Sequence, residues 1–509
     1  MKKLILAIAA VLALASCAKP VTVCVNPLTY TDIPDNDVIR VGKDYYMVST
    51  TMFFCPGAPI MHSRDLVHWR IVSYIYDCLE DDDIYNLRDG KNAYGKGQWA
   101  TTLRYEDGVY YALFIANDQR KTYVYRTDDI TKSYWERNVI DRPFHDSSLL
   151  FEDGRVFVVY GNGNLQITEL EPDLSGIKEG GVDQLLISSP REGINLRAEG
   201  AHFYHIGDYY YLLEIDWPRG GVRTETCWRS KELLGEYESK VVLSGAFDGR
   251  RDGVAQGAIF DPPKGDWYAV MFQDHGAVGR IPTLQPVTWV DDWPILGDNT
   301  VPMKEFEVNL KPYGENYTWS SDEFDSSELA LVWQWNHKPV NSAWSLSKRA
   351  GWMSIDALPA TKIADARNVL TQRTVGPACE SSGKNDVSGL KPGDHAGLCA
   401  FQSNFAAVEV EVAEDGTKSL VGLNRQEEFM RLPFSGNEIY FKLIFDFNTD
   451  KAMVGYSTDG TGWIIPGYEL QMRFTLDYFV GYRPAIYCYN STGAQGGTLA
   501  VDWFHQEQI

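Results

Sequence analysis

Positive charge is scarce in this chain of 509 residues: 47 Lys and Arg face 69 Asp and Glu, for a formal net charge of -22. A phosphate backbone or an anionic lipid surface would be repelled, so nucleic acid and membrane surfaces are excluded as partners and a neutral substrate fits better. Cysteine is also sparse. The eight residues show no C-x-x-C spacing, which argues against a zinc cluster or a disulfide framework. The histidines show no paired ligand spacing, so no catalytic metal and no cofactor are expected. No apolar run is long enough to cross a bilayer, and no sustained period of 3.6 residues supports an α/β fold. Aromatic residues, by contrast, are abundant, at 13% with 15 Trp and 29 Tyr. That surplus suits strand-rich folds and sites that stack flat rings on sugars. With 44% hydrophobic and 23% charged residues, the chain has the balance of a folded protein and the length of two or three domains.

The first residues read as an address. Lys2 and Lys3 precede an apolar stretch, Leu4 to Leu14, that ends in Leu14-Ala15-Ser16-Cys17. This resembles a bacterial lipobox: residues 1–16 would be a signal peptide, and Cys17 the lipidated first residue of the mature chain. The alternative is an ordinary secretory signal with a chance cysteine. A lipid anchor tethers without spanning, so the membrane would be met only there, at the outer membrane of a Gram-negative cell. Ala18-Lys19-Pro20-Val21 lacks an acidic surface-export cluster, which favours a periplasm-facing anchor over a surface one. Without Cys17 an odd number of cysteines remains. Most are expected to be buried small apolar residues, with room for one disulfide that cannot be assigned.

One short pattern recurs five times, at Gly42-Lys43-Asp44-Tyr45-Tyr46, Asp107-Gly108-Val109-Tyr110-Tyr111, Asp153-Gly154-Arg155-Val156-Phe157, Gly207-Asp208-Tyr209-Tyr210-Tyr211 and Gly265-Asp266-Trp267-Tyr268. Each is a tight turn feeding an aromatic strand, which is a hairpin signal. Their spacing, roughly 45 to 65 residues, is that of a four-stranded propeller blade. An all-β five-bladed propeller over 28–301 is expected, after a tether at 17–27. A large sandwich with chance hairpins is the alternative. The rhythm breaks at a polar linker, 302–319. Alternating strands such as Ala406 to Val412 and Tyr440 to Asp446 then point to a C-terminal β-sandwich over 320–509.

Three acids stand out from the solvated majority. Asp35, in Pro34-Asp35-Asn36-Asp37, Asp146, in Phe144-His145-Asp146, and Glu199, in Ala198-Glu199-Gly200, each precede an apolar strand leading into a repeat hairpin. Equivalent positions of successive blades ring a propeller's axis, so the three would converge at one end of the channel. Turn capping explains any one of them but not their recurrence. Separated carboxylates of this kind are what glycosidic bond hydrolysis requires: an acid for the leaving oxygen and a base or nucleophile on the opposite face.

These segments resemble glycoside hydrolase family 43, five-bladed propeller enzymes acting mostly on arabinose- and xylose-containing glycans. Asp35 to Val41, Trp99-Ala100, Leu103-Arg104-Tyr105, Ala198-Glu199-Gly200, Phe272 to Arg280, Leu284 to Trp289 and Leu370 to Arg373 carry the likeness. The resemblance implies Asp35 as general base, Glu199 as general acid and Asp146 as the carboxylate that orients the acid and tunes its proton, in one inverting displacement. Asp32 and Asp37 compete for the base role. Arg280 would face the sugar, with Trp99, Phe54 and Phe144 as stacking walls and Gln256 beside them. Many members carry a histidine where Ala255 stands, which puts a structural calcium at the propeller centre in doubt. The resemblance implies release of terminal α-L-arabinofuranosyl units from hemicellulose or pectin side chains, the partner being a pentose-containing oligosaccharide or polysaccharide. β-D-xylosidase or dual activity, endo-arabinanase and a non-catalytic glycan-binding propeller are the alternatives.

Overall fold

The computed structural model describes residues 21–132, 134–262 and 265–509. The expected signal peptide and Cys17 lie outside the described residues. Five four-stranded antiparallel sheets come first in the chain. Blade 1 comprises Asp37–Val41, Asp44–Val48, Gly57–Ser63 and Arg70–Tyr76. Blades 2 to 5 open on Gln98–Glu106, Ser148–Glu152, Ile194–Ile206 and Val254–Phe260. The sequence signal and the geometry meet in the turns. Asp107-Gly108 and Asp153-Gly154 both have positive φ at each residue, the pair of left-handed positions that a two-residue hairpin joining twisted strands favours. The polar turn after the third strand of blade 1 has an equally local cause. Asp65 Oδ1 accepts the backbone N–H of Val67 and of His68 (3.0 and 2.8 Å), and Trp69 drops into the core behind it.

Arg104 ties the blades together near the axis. Its Nη1 donates to Asp37 Oδ2 (2.7 Å), Nη2 to Ser148 Oγ (2.7 Å) and Nε to Leu149 O (2.9 Å). Ser148 Oγ in turn accepts from Phe203 N (2.8 Å), so one guanidinium connects the inner strands of blades 1 to 4. Asp37 is 1% exposed, and Arg104 neutralises it.

The C-terminal part is a sandwich in which eight of its strands, joined by one from the propeller part, form a nine-stranded sheet that packs on a seven-stranded one around an apolar core that also takes in Ala277, Val278 and Ile281. Two boundaries differ from the sequence reading. Thr22–Val25 in the expected tether pairs antiparallel with Glu305–Val308 in the expected linker, so both segments carry a strand of one small sheet. Val23 and Val25 are exposed while Thr22 and Cys24 are buried, a half-buried alternation too short to stand out in sequence. The linker also follows blade 1, Tyr317 N donating to Trp69 O at 2.9 Å. A second crossing joins the domains directly. The strand Phe54–Cys55 leaves blade 1 and pairs with Gln334–Asn336 at the edge of the nine-stranded sheet. Around it, Phe53, Tyr85 and Tyr123 of the propeller share one core with Phe401, Tyr478 and Tyr487 of the sandwich.

Candidate active site

A cavity of about 390 Å³ opens at one end of the propeller and brings Asp35, Asp146 and Glu199 together. The backbone explains why acids from three blades point the same way. Asp35, Asp146 and Gln256 have φ of 52°, 46° and 60°, and Gly200 has 69°. A left-handed corner thus recurs on blades 1, 3, 4 and 5, aiming the local side chains at the axis. For a residue other than glycine this conformation costs of order 1–3 kcal/mol, the kind of strain that collects at functional sites. Register breaks beside Glu199 and at Ala255/Gly257 assist it. At Gly200 a Cβ would lie 2.6 Å from Gln256 Cδ, so glycine is required on two counts.

Asp35 is 8% exposed, and its Oδ1 accepts from Arg280 Nη1 at 2.8 Å and from Gln256 Nε2 at 3.5 Å. Burial raises its carboxyl above the usual range, while the Arg280 cation pulls the other way. Arg280 Nε and Nη2 are buried without partners among the described residues, leaving two uncommitted donors on a residue that lines the cavity. The competitors face elsewhere. Asp32 accepts from the backbone N–H groups of Arg280 (2.8 Å) and Gly481 (2.9 Å), and Asp37 is held by Arg104.

Glu199 is half-buried and faces two neighbours that sequence reasoning did not select. Asn162 Nδ2 donates to its Oε2, and His145 Nε2 lies 3.4 Å from the same oxygen and 3.7 Å from Asp146 Oδ2. Burial pushes the Asp146 carboxyl up to about 7; the Glu199 and Asp35 charges add to this and His145 opposes it. For His145, burial favours the neutral ring, but Asp146 and Glu199 outweigh it and raise the imidazolium to about 9. The site can therefore hold protons near neutral pH.

Trp99 lines the cavity as expected, its ring 5.8 Å from that of His145 and 5.6 Å from that of Phe479. Two expected walls are elsewhere. Phe54 is buried at the domain junction under Arg483, whose guanidinium lies 3.7 Å from the ring centroid, because the pairing with Asn336 turns it into the interface. Phe144 is fully buried against Tyr160 in the core between blades 2 and 3; its neighbour His145 takes the cavity-facing direction. A further part of the lining comes from the sandwich instead. Leu476 and Phe479 line the cavity, Phe479 packs against Trp99, and Arg280 lies 4.5 Å from the Phe479 ring centroid. His145 stood inside the motif that singled out Asp146. Phe479 lies far from the propeller in sequence, and no local pattern marks it.

Two clusters, His145/Asp146/Glu199 and His395/Glu409/Glu411, bring three ligand-type atoms within 4.8 Å of one another. Both are already engaged by hydrogen bonds, the second through His395 Nδ1 and Tyr487 O–H on Glu409 (2.8 and 2.6 Å).

Comparison with known proteins shows the class of the chain: it is a glycoside hydrolase. Residues 24–294 match glycosyl hydrolases family 43, and residues 321–507 match the beta xylosidase C-terminal concanavalin A-like domain, so the chain belongs to family 43. A beta-xylosidase of Formosa agariphila is 28% identical, covering 94% of this chain and 89% of its own. The non-reducing end alpha-L-arabinofuranosidase of Bacteroides ovatus is 30% identical, covering 64% of this chain and 63% of its own. A solved structure described as a bifunctional GH43-CE of Bacteroides eggerthii superposes with a TM-score of 0.88 at 41% identity. It covers 96% of this chain, which spans 64% of that longer protein.

Proposed function

We propose that this enzyme removes single pentosyl units from the non-reducing ends of plant cell-wall glycans by one inverting displacement. The observation behind the exo reading is the share of the sandwich in the cavity: Leu476 and Phe479 line it together with Trp99 and Arg280, and in this reading they narrow it to a pocket. In this reading Arg280 holds the terminal sugar and keeps Asp35 available as an anion. Asp35 takes a proton from a water, whose oxygen attacks the anomeric carbon. Glu199 gives its proton to the departing glycosidic oxygen, oriented by Asn162 and His145, with Asp146 as the neighbouring proton store. The site ends with a protonated Asp35 and an ionised Glu199, and exchange with solvent resets it.

α-L-Arabinofuranosyl is the first reading for the sugar, supported by the Bacteroides ovatus relative, whose non-reducing-end action matches a closed pocket. β-D-Xylosyl is the second, supported by the Formosa agariphila relative and by the name of the C-terminal domain. Export through residues 1–16 and anchoring at Cys17 complete the proposal. Rates on paired aryl α-L-arabinofuranosides and β-D-xylosides, followed by linear and branched oligosaccharides, test it. Release of a free pentose from chain ends is expected; mid-chain products would reject the exo reading, and no release from any of these would reject the enzyme reading.

A further inference from the structure

The thiols of Cys55 and Cys78 meet at a place that hydrolysis does not use. Their Sγ atoms lie 2.8 Å apart, closer than the ~3.5–4.0 Å at which even two smaller, non-bonded carbon atoms rest. No other sulfur–sulfur contact occurs among the described cysteines. The partners differ in access. Cys55 is buried on the strand that leaves blade 1 for the sandwich sheet, whereas Cys78 is partly exposed just beyond Arg70–Tyr76, the outer strand of the same blade. They are 23 positions apart.

We propose that Cys55 and Cys78 form an oxidisable pair that closes to a disulfide, fixing the strand at the propeller–sandwich junction to the outer edge of blade 1. The oxidant is a disulfide, either a small molecule or a protein. Cys78, the accessible partner, attacks it as a thiolate and forms a mixed disulfide, releasing one thiol of the oxidant. Cys55 then loses its proton, attacks Cys78 Sγ and expels the second thiol. Two cysteine thiols give up two protons and two electrons, and the oxidant's S–S bond is reduced to two thiols. This order agrees with burial, which raises the Cys55 thiol well above its ordinary value and leaves it the resolving partner. The bond would restrain the unfolded chain, and a loop of this size is expected to raise Tm by a few degrees. It would also restrain the segment from Met52 to Cys55. Met52 exchanges backbone hydrogen bonds with Gln98, the neighbour of the pocket wall Trp99.

The test treats the folded full-length protein with oxidised glutathione, blocks remaining thiols by alkylation and maps peptides without reduction. The expected result is a Cys55–Cys78 linked peptide that disappears on reduction and in Cys78→Ser, with a Tm above that of the dithiothreitol-treated protein. Cys78→Ser should abolish that difference in Tm. Alkylation of both cysteines after oxidation, a lasting glutathione adduct on Cys78, or linkage to any other cysteine would overturn the pairing. A linked protein with the Tm of the reduced one would overturn the fixing role.

Discussion

Glu225 is buried on the third strand of blade 4, where its Oε2 accepts from Gln256 N at 2.7 Å and its Oε1 has no partner among the described residues. Burial pushes this carboxyl from 4.5 up to about 8. The folded protein therefore keeps a proton that the unfolded chain releases. The resulting stability is complete below about pH 4.5 and is lost as pH rises towards 8. Glu225→Gln retains an acceptor for Gln256 and has no proton to lose. Thermal unfolding from pH 5 to 8 should show a shallower decline in Tm for the variant than for the wild type; parallel curves would contradict the assignment. The same linkage holds at Asp146, also raised, and because it lies against Glu199 it bears on activity as well. There the retained proton lies beside Glu199, whose own proton goes to the leaving-group oxygen in the proposed reaction.

The inner strands depend on Arg104, which joins three blades directly and a fourth through Ser148. Arg104→Met leaves Asp37 buried without its cation and should cost about 3–5 kcal/mol in denaturant unfolding. Adding Asp37→Asn should recover part of that loss. An unchanged midpoint in the single variant would show that the pair carries little. The elements themselves were legible in the sequence because turn chemistry is local. Asp107-Gly108 and Asp153-Gly154 announce hairpins, and their spacing announces blades. The same locality let Asp35, Asp146 and Glu199 be chosen, since each stands just before an apolar run; Asp35 and Asp146 precede their inner strands, whereas Glu199 lies within Ile194–Ile206 beside a register break. It failed where direction depends on distant partners. Phe54 turns away from the pocket because Asn336 pairs with it, and Thr22–Val25 is a strand because Glu305–Val308 lies alongside. Neither partner can be inferred from the segment itself.

Across the whole molecule, the sandwich completes the site. Asp32 accepts from Arg280 N of blade 5 and from Gly481 N of the sandwich, so one buried carboxylate holds both the cavity-lining arginine and the loop bearing Phe479. The Phe479 ring adds contacts to Arg280 and Trp99, each of a kind worth about 0.5–1.5 kcal/mol. If Phe479 also packs on the sugar bound in the proposed pocket, Phe479→Ala should raise KM for an aryl pentoside on the order of tenfold with a smaller effect on kcat. Steady-state kinetics showing an unchanged KM would remove the sandwich from substrate binding. The central claim is that propeller acids divide the work at a glycosidic bond, with Glu199 supplying the proton to the leaving group. The most direct measurement compares Glu199→Gln with the wild type on two pentosides that share a sugar. One carries a nitrophenyl group that departs without help, and the other a sugar or alkyl alcohol that must be protonated. The prediction is a loss of roughly 10²–10⁴-fold on the second and a far smaller loss on the first. Equal losses on both substrates, or none on either, would contradict Glu199 as the acid.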